Sequence, residues 1–290
     1  MTGSGNWPAA IRRSRRRIAA TYALAVAELC CETSYPWAVG LAIDGLLADR
    51  PTAMAPLVAI WLLHAGVGVA RQAYDTRLFT RLYAEAVTEM IDRQGSSGAS
   101  TAVLAGRSAL ARELVEFFET DVPMVLTAVL GCAGSLALLA VYDARAGALA
   151  LLLLVPVALL NRRYGRRAVG LNEAINNAAE EEIDIIASGH RPAVVEHFRN
   201  LARLRVRLSD AEARTWGITE LFSVATAIGV LLLLTTPAPT SPGHIFAAMT
   251  YLFAFIHGLD AVPSAVERTV QAYDIAARLG SEDEHAPIKE

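Results

Sequence analysis

Two carboxylates, Glu28 and Glu32, sit four residues apart inside an apolar run that begins at Ile18. On an α-helix that spacing puts both on one face, and Glu28 lies ~15 Å along the axis from Ile18. An ionised side chain at mid-bilayer costs at least ~2.5–3.5 kcal/mol. Two such charges in a low dielectric cannot both ionise cheaply, so one of the pair is expected to keep its proton. That chemistry suits proton carriage or the binding of a cationic substrate. The alternative is that the pair lines a water-filled cavity or hydrogen-bonds a neighbouring helix. His64, in the next apolar run, and His257 with Asp260, in the last one, are the other titratable candidates. His257 and Asp260 are three apart, so the carboxylate would fix the imidazole tautomer and share its proton. A lone intrahelical histidine such as His64 is more often a hydrogen-bonded packing residue.

No other residues have the spacing of a reactive centre. Cys30, Cys31 and Cys132 lie in apolar runs and read as small packing residues. There is no metal-ligand spacing, no Ser/His/Asp order and no glycine-rich cofactor loop. A phosphate loop, G-x-x-x-x-G-K-[ST], needs a lysine to reach the phosphates, and the sole lysine is Lys289. The chain is therefore expected to be no enzyme, to hold no metal or cofactor, and to meet ATP only through a separate subunit.

The elements that would position these residues are membrane spans. The 290 residues are 54% hydrophobic with a mean hydropathy of +0.37, and the apolar residues are gathered into segments too long for a soluble core. Six spans are expected, near 18–48, 54–70, 121–141, 146–160, 216–234 and 244–265. The N-terminal arginines before such a long first run mark a retained helix rather than a cleaved signal. Helical periodicity continues past Ala70 to about Arg93, and a helix of ~40 residues is ~60 Å long, twice the hydrocarbon thickness. Between spans four and five, Gly170 to Arg214 reads as a polar helical hairpin with arginines at both ends. Its acidic run Glu180-Glu181-Glu182 with Asp184 is expected to pair with the arginines from Arg199 to Arg207. Pro36, Pro56, Pro123, Pro156 and Pro263 are expected to bend or loosen their helices. Glu220 and Asp44 read as interfacial residues. A basic tail over 1–16, a membrane domain over 17–280 and a polar tail over 281–290 complete the organisation. The short turns hold only Arg50 and Arg145, so arginine counting puts both termini and both long loops in the cytoplasm.

Six spans with short outer turns and two long cytoplasmic helical hairpins form an all-α membrane pattern that resembles the transmembrane domain of type I exporters of the ATP-binding cassette superfamily. Pro36 to Leu47 is similar to the family's first-span ending. Glu182 followed by Gly189-His190-Arg191-Pro192-Ala193-Val194-Val195 is similar to the second intracellular loop with its coupling helix. Ser241 to Leu252 is similar to the opening of the sixth helix. The resemblance implies short coupling helices over Gln94 to Gly106 and Ser188 to Phe198, lying parallel to the membrane and fitting a groove on a nucleotide-binding partner. It also implies a homodimer or heterodimer, no nucleic acid, and a place in a bacterial plasma (inner) membrane. Two energy sources fit: a separate nucleotide-binding subunit, or a proton gradient acting through Glu28 and Glu32, as in the cassette-free peptide importers. A non-transporting membrane scaffold is the competing class.

Overall fold

A computed structural model describes residues 13–95, 108–109, 112–113, 115–236 and 240–259. All secondary structure among them is helical. α1 covers Arg15–Leu47, and a short 3-10 turn, Pro51–Met54, leads into α2, Ala55–Gly95. A π-helical turn, Phe117–Asp121, runs into α3, Val122–Tyr142. α4 covers Ala144–Ala187, α5 covers Arg191–Thr235, and α6 occupies 242–259. The π turn has a local cause. Pro123 has no N–H to give the carbonyl of Glu119, and the Val122 N–H reaches back to Phe117 instead.

The all-helical membrane architecture expected from the sequence is the one observed. Four stretches are long and apolar enough to cross a bilayer: Pro51–Glu89, Phe117–Tyr142, Ala144–Ala187 and Arg191–Thr235. α1 falls short of that measure because Glu28 and Glu32 interrupt its apolar run. α4 and α5, with 44 and 45 residues, are each ~66 Å long, about twice the hydrocarbon core. Half of each therefore stands outside the membrane.

Two corners set the helix pairs. Between α1 and α2, Asp49 takes a left-handed conformation (φ 58°). The N–H groups of Asp49 and Arg50 donate to the carbonyls of Leu46 and Gly45 at 3.1 and 2.8 Å, which closes the end of α1. Between α4 and α5 the left-handed residue is Gly189 (φ 64°), where a glycine carries no steric cost. The Ser188 hydroxyl donates to the Ile185 carbonyl at 2.6 Å. α3 and α4 meet at Asp143, whose carboxylate accepts from the N–H groups of Arg145 (2.8 Å) and Ala146 (3.2 Å) as an N-cap.

The chain divides into two compact units, Met1–Leu138 with Thr240–Glu290, and Leu139–Pro239. In the first, Ile18 of α1 packs with Leu78, Phe79 and Leu82 of α2 and with Val115. α6 is tied to α1 twice. The Tyr251 hydroxyl donates to the Thr33 carbonyl at 2.9 Å, and Asp44 accepts from the Ser241 hydroxyl (2.5 Å) and the Gly243 N–H (2.8 Å). Asp44 thus caps α6 from another helix, a role beyond the interfacial one its position suggests. In the second unit, α4 and α5 lie antiparallel in a register centred on Gly189. Arg145 reaches the Leu233 carbonyl at 3.5 Å, and Leu149 sits beside Gly229.

Three expectations need correction. Ser188 to Phe198 forms no separate short helix: α5 is continuous from Arg191, because nothing between Phe198 and Arg214 breaks a helix. Pro56 stands in the first turn of α2, where a missing N–H costs nothing; Pro36 and Pro156 do lie inside α1 and α4, and Pro123 follows directly on the π turn. The acidic run of α4 does not pair with the arginines of α5. The register centred on Gly189 sets Glu180 to Asp184 opposite Val194 to Phe198, short of most of those arginines. Among the described residues, Arg203 pairs with Glu196 of its own helix at 2.9 Å instead. Residues 96–106 of the first expected coupling helix, Asp260, Pro263 and most of both tails lie outside the described residues.

Two substitutions test these joints. A methyl on Gly243 would overlap the Gly40 carbonyl and lie 2.7 Å from Asp44 Cγ. Gly243→Ala is expected to cost about 1–3 kcal/mol, seen as a lower unfolding temperature in detergent. Gly170→Ala, with nothing within 4 Å, leaves that temperature unchanged or raises it. Asp143→Ala removes a cap worth about 0.5–2 kcal/mol. The hydrogen bond from Arg145 holds the Asp143 carboxyl at about 2, below its ordinary 3.8. Its contribution is therefore present above pH 4 and lost as pH falls toward 2. The stability gap between wild type and Asp143→Ala should narrow across that window, as measured by chemical unfolding at stepped pH.

Candidate functional site

The antiparallel pairing of α1 and α2 brings together residues equally far from the Asp49–Arg50 corner. Tyr35 meets His64, and Glu28 meets Arg71. An Arg71 guanidinium N–H donates to Glu28 Oε2 in a close ion pair, and Arg71 Nε lies 3.3 Å from Asp75 Oδ2, one turn further along α2. His64 Nδ1 is 2.6 Å from the Tyr35 hydroxyl. His64 Nε2 lies 3.6 Å from Glu28 Oε1 and 3.9 Å from Glu32 Oε1, in electrostatic rather than hydrogen-bonding range. The Tyr35 ring stands edge-on to Trp61, with centroids 6.4 Å apart. Gly68 leaves room for Glu28, whose Oε1 is 3.3 Å from where a Cβ would project.

The two glutamates are not equivalent. The Glu28 side chain is 21% exposed and Glu32 55%. The repulsion that led one of them to be expected to keep its proton is answered for Glu28 by the Arg71 guanidinium. Glu32 instead borders a cavity of about 250 Å³ within the first unit, together with Thr33, Gly131, Cys132, Ser135 and Tyr251. Cys132 and Ser135 come from α3 and Tyr251 from α6, so three helices wall this space beside the carboxylate. At the other end of the network, the Asp75 carboxylate lies between Arg71 and Thr21.

The arrangement holds a neutral or protonated imidazole between two carboxylates, with a phenol on its far nitrogen. The cluster gathers three carboxylates, Glu28, Glu32 and Asp75, around one guanidinium and one imidazole. His64 thus lies beside both glutamates and is hydrogen-bonded to Tyr35. His257 is exposed and its Nδ1 lies 2.8 Å from the Phe253 carbonyl, a contact inside its own helix. Its expected partner Asp260 lies outside the described residues.

Sequence reasoning missed Arg71, Tyr35 and Asp75. The signal for the first two was present. Counting equal distances outward from the turn at Asp49-Arg50 pairs Glu28 with Arg71 and Tyr35 with His64.

The expected coupling residues lie at the α4–α5 corner. Gly189 makes the turn, His190 is extended as the N-cap of α5, and Arg191 and Pro192 open that helix. Val194 is half-buried, while Val195 is exposed. Ile183 and Ile186 at the end of α4 and Phe198 on α5 are exposed as well. Apolar side chains so placed at the tip of a polar hairpin are available to a partner.

The sequence matches a family described as the ABC transporter transmembrane region over residues 10–243. No curated protein matches it. The matched stretch takes in α1 to α5, with the cluster around Glu28 and the Gly189 corner, so the chain belongs to the ABC transporter transmembrane region family and is a membrane transporter component.

Proposed function

We propose that this chain is the membrane subunit of an exporter-type ABC transporter. Two six-helix sets, from a second copy or a related chain, would enclose the path of a small molecule, drug or peptide. A nucleotide-binding domain outside these 290 residues, in which no phosphate loop occurs, would supply ATP hydrolysis. The carrying observation is the α4–α5 hairpin. Its apolar halves are long enough to cross a bilayer, its polar halves extend ~30 Å further, and it ends in exposed Ile183, Ile186, Val195 and Phe198. The arginine distribution supports a cytoplasmic position for that corner, in the plasma membrane of a bacterium with both termini inside.

A second reading is favoured by one specific observation, the seat of His64 between Glu28 and Glu32. In it the proton gradient drives transport and the acidic pair with His64 carries the proton.

Liposomes containing the protein and offered a fluorescent cationic peptide or dye separate the two. Uptake that requires the nucleotide-binding partner and ATP, and that is lost in the double variant Val195→Asp with Phe198→Asp, is the expected result. Retention of ATP-driven uptake in that double variant would sink the docking role. Uptake without ATP under an imposed pH gradient, collapsing in Glu32→Gln, would establish the second reading. Glu32→Gln suits this test because Glu32 has no close cation. Glu28→Gln removes the closer of the two carboxylates on the partly buried Arg71 guanidinium, leaving Asp75, and is expected to cost about 1–3 kcal/mol. In a thermal melt it should fall below both wild type and Glu32→Gln; equal melts for the two variants would show that the Arg71 contact contributes nothing.

A further inference from the structure

Where α4 and α5 leave their apolar halves, they enclose a cavity of about 320 Å³ lined by Leu160, Arg163, Tyr164, Arg167, Arg214 and Ile218, with Ala211 and Thr215 behind. Three arginines from two helices contribute to its wall. Arg163 and Arg167 are four apart on one face of α4, a like-charge spacing that destabilises a helix unless an anion lies between them. Arg214 faces them from α5. None of the three makes an ion pair among the described residues. Thr215 donates its hydroxyl to the Ala211 carbonyl at 2.9 Å, which leaves the guanidiniums as donors to an anion. Two exposed acids lie on α5 at this level, Asp210 one turn before Arg214 and Glu212. Three positive charges outweigh them.

Depth decides which anion. Leu160 and Ile218 end the apolar halves of the two helices, and the arginines begin within the next turn. They therefore lie at headgroup level, while Leu159, Ile218 and Leu221 are exposed directly below. A phosphate held by the guanidiniums would have its acyl chains alongside that apolar surface. Basic pockets between membrane helices take lipid headgroups by this combination of charge and depth.

We propose that this cavity is a binding site for an anionic phospholipid, with its phosphate held by Arg163, Arg167 and Arg214. Each arginine adds a separate share of the preference for anionic over zwitterionic lipid, about fivefold per residue at ~1 kcal/mol each. Ordinary interfacial arginines, spread around a helix and facing water, would not give a saturable site.

Delipidated full-length protein in detergent is offered phosphatidylglycerol or phosphatidylcholine of equal chain length, and bound lipid is counted by native mass spectrometry. The expected result is one saturable phosphatidylglycerol, preferred at least tenfold over phosphatidylcholine. That preference should fall about fivefold in Arg163→Gln or Arg214→Gln and vanish in the triple Arg163→Gln, Arg167→Gln, Arg214→Gln. A control triple, Arg199→Gln, Arg205→Gln and Arg207→Gln, removes the same charge further along α5 and should keep the preference. Equal binding of the two lipids, or equal losses in both triples, overturns the proposal. So does inorganic phosphate that displaces the lipid at millimolar concentration, which would identify a free-phosphate site. Should the first triple not fold, a variant with Trp216 as its sole tryptophan gives an independent readout. Brominated phosphatidylglycerol is expected to quench Trp216 more than brominated phosphatidylcholine, and equal quenching again overturns the proposal.

Discussion

A carboxylate inside an apolar helix must find a counter-charge or a proton, and much of the first unit follows from how Glu28 meets that demand. Arg71 supplies the charge from α2. To reach it, α1 and α2 must lie side by side in one register, set by the left-handed Asp49 and the hydrogen bonds that close the end of α1. That register also delivers His64 to Tyr35 and places the imidazole beside both glutamates. A shift of one residue along either helix would rotate the partners by ~100° and leave a half-buried charge alone. The ion pair and the corner therefore specify one another. The ion pair need not add much net stability, since removing two charges from water offsets most of their attraction. Its structural effect is to exclude other registers.

The second unit solves the same problem of pairing with different chemistry. Gly189 takes the place of Asp49 as the left-handed residue, and the apolar halves of α4 and α5 hold the register without a buried ion pair. Ala146, Ala150 and Leu153 on α4 and Val230 and Leu234 on α5 are nearly fully buried. Small residues at such contacts let helix backbones approach closely where no hydrophobic drive separates protein from lipid. Past the membrane the pairing continues with few buried side chains, among them Ala178, His197 and Leu201. The polar half of the hairpin is thus held mainly by its membrane half and its corner.

Most of this architecture was legible in the residues. The apolar runs gave the spans, and the family resemblance put an intracellular loop at Gly189 and the opening of the sixth helix at Ser241. Glu28 and Glu32 were identifiable because a charge in an apolar run stands out. Arg71 was harder to see. It sits where α2 passes from apolar to polar sequence, and there an arginine looks like an ordinary boundary residue. Its role becomes visible only when α2 is folded back on α1. The acidic run misled for the same reason. Opposite charges in neighbouring stretches suggest pairing, but register decides which residues face each other, and here it sets Glu180 to Asp184 against Val194 to Phe198. The continuous α5 was missed because Arg191-Pro192 resembles the edge of a short helix, whereas proline in a first turn begins a long one equally well.

Within the first unit, the cluster is asymmetric in a way that bears on mechanism. Glu28 is held by a fixed guanidinium, so its charge is committed to structure. Glu32, four residues on and more exposed, has only the imidazole nearby and faces the cavity walled by α1, α3 and α6. Glu32 borders that cavity and Glu28 does not. The same network therefore contains a charge-paired end at Glu28–Arg71 and an end at Glu32–His64–Tyr35 that borders the cavity.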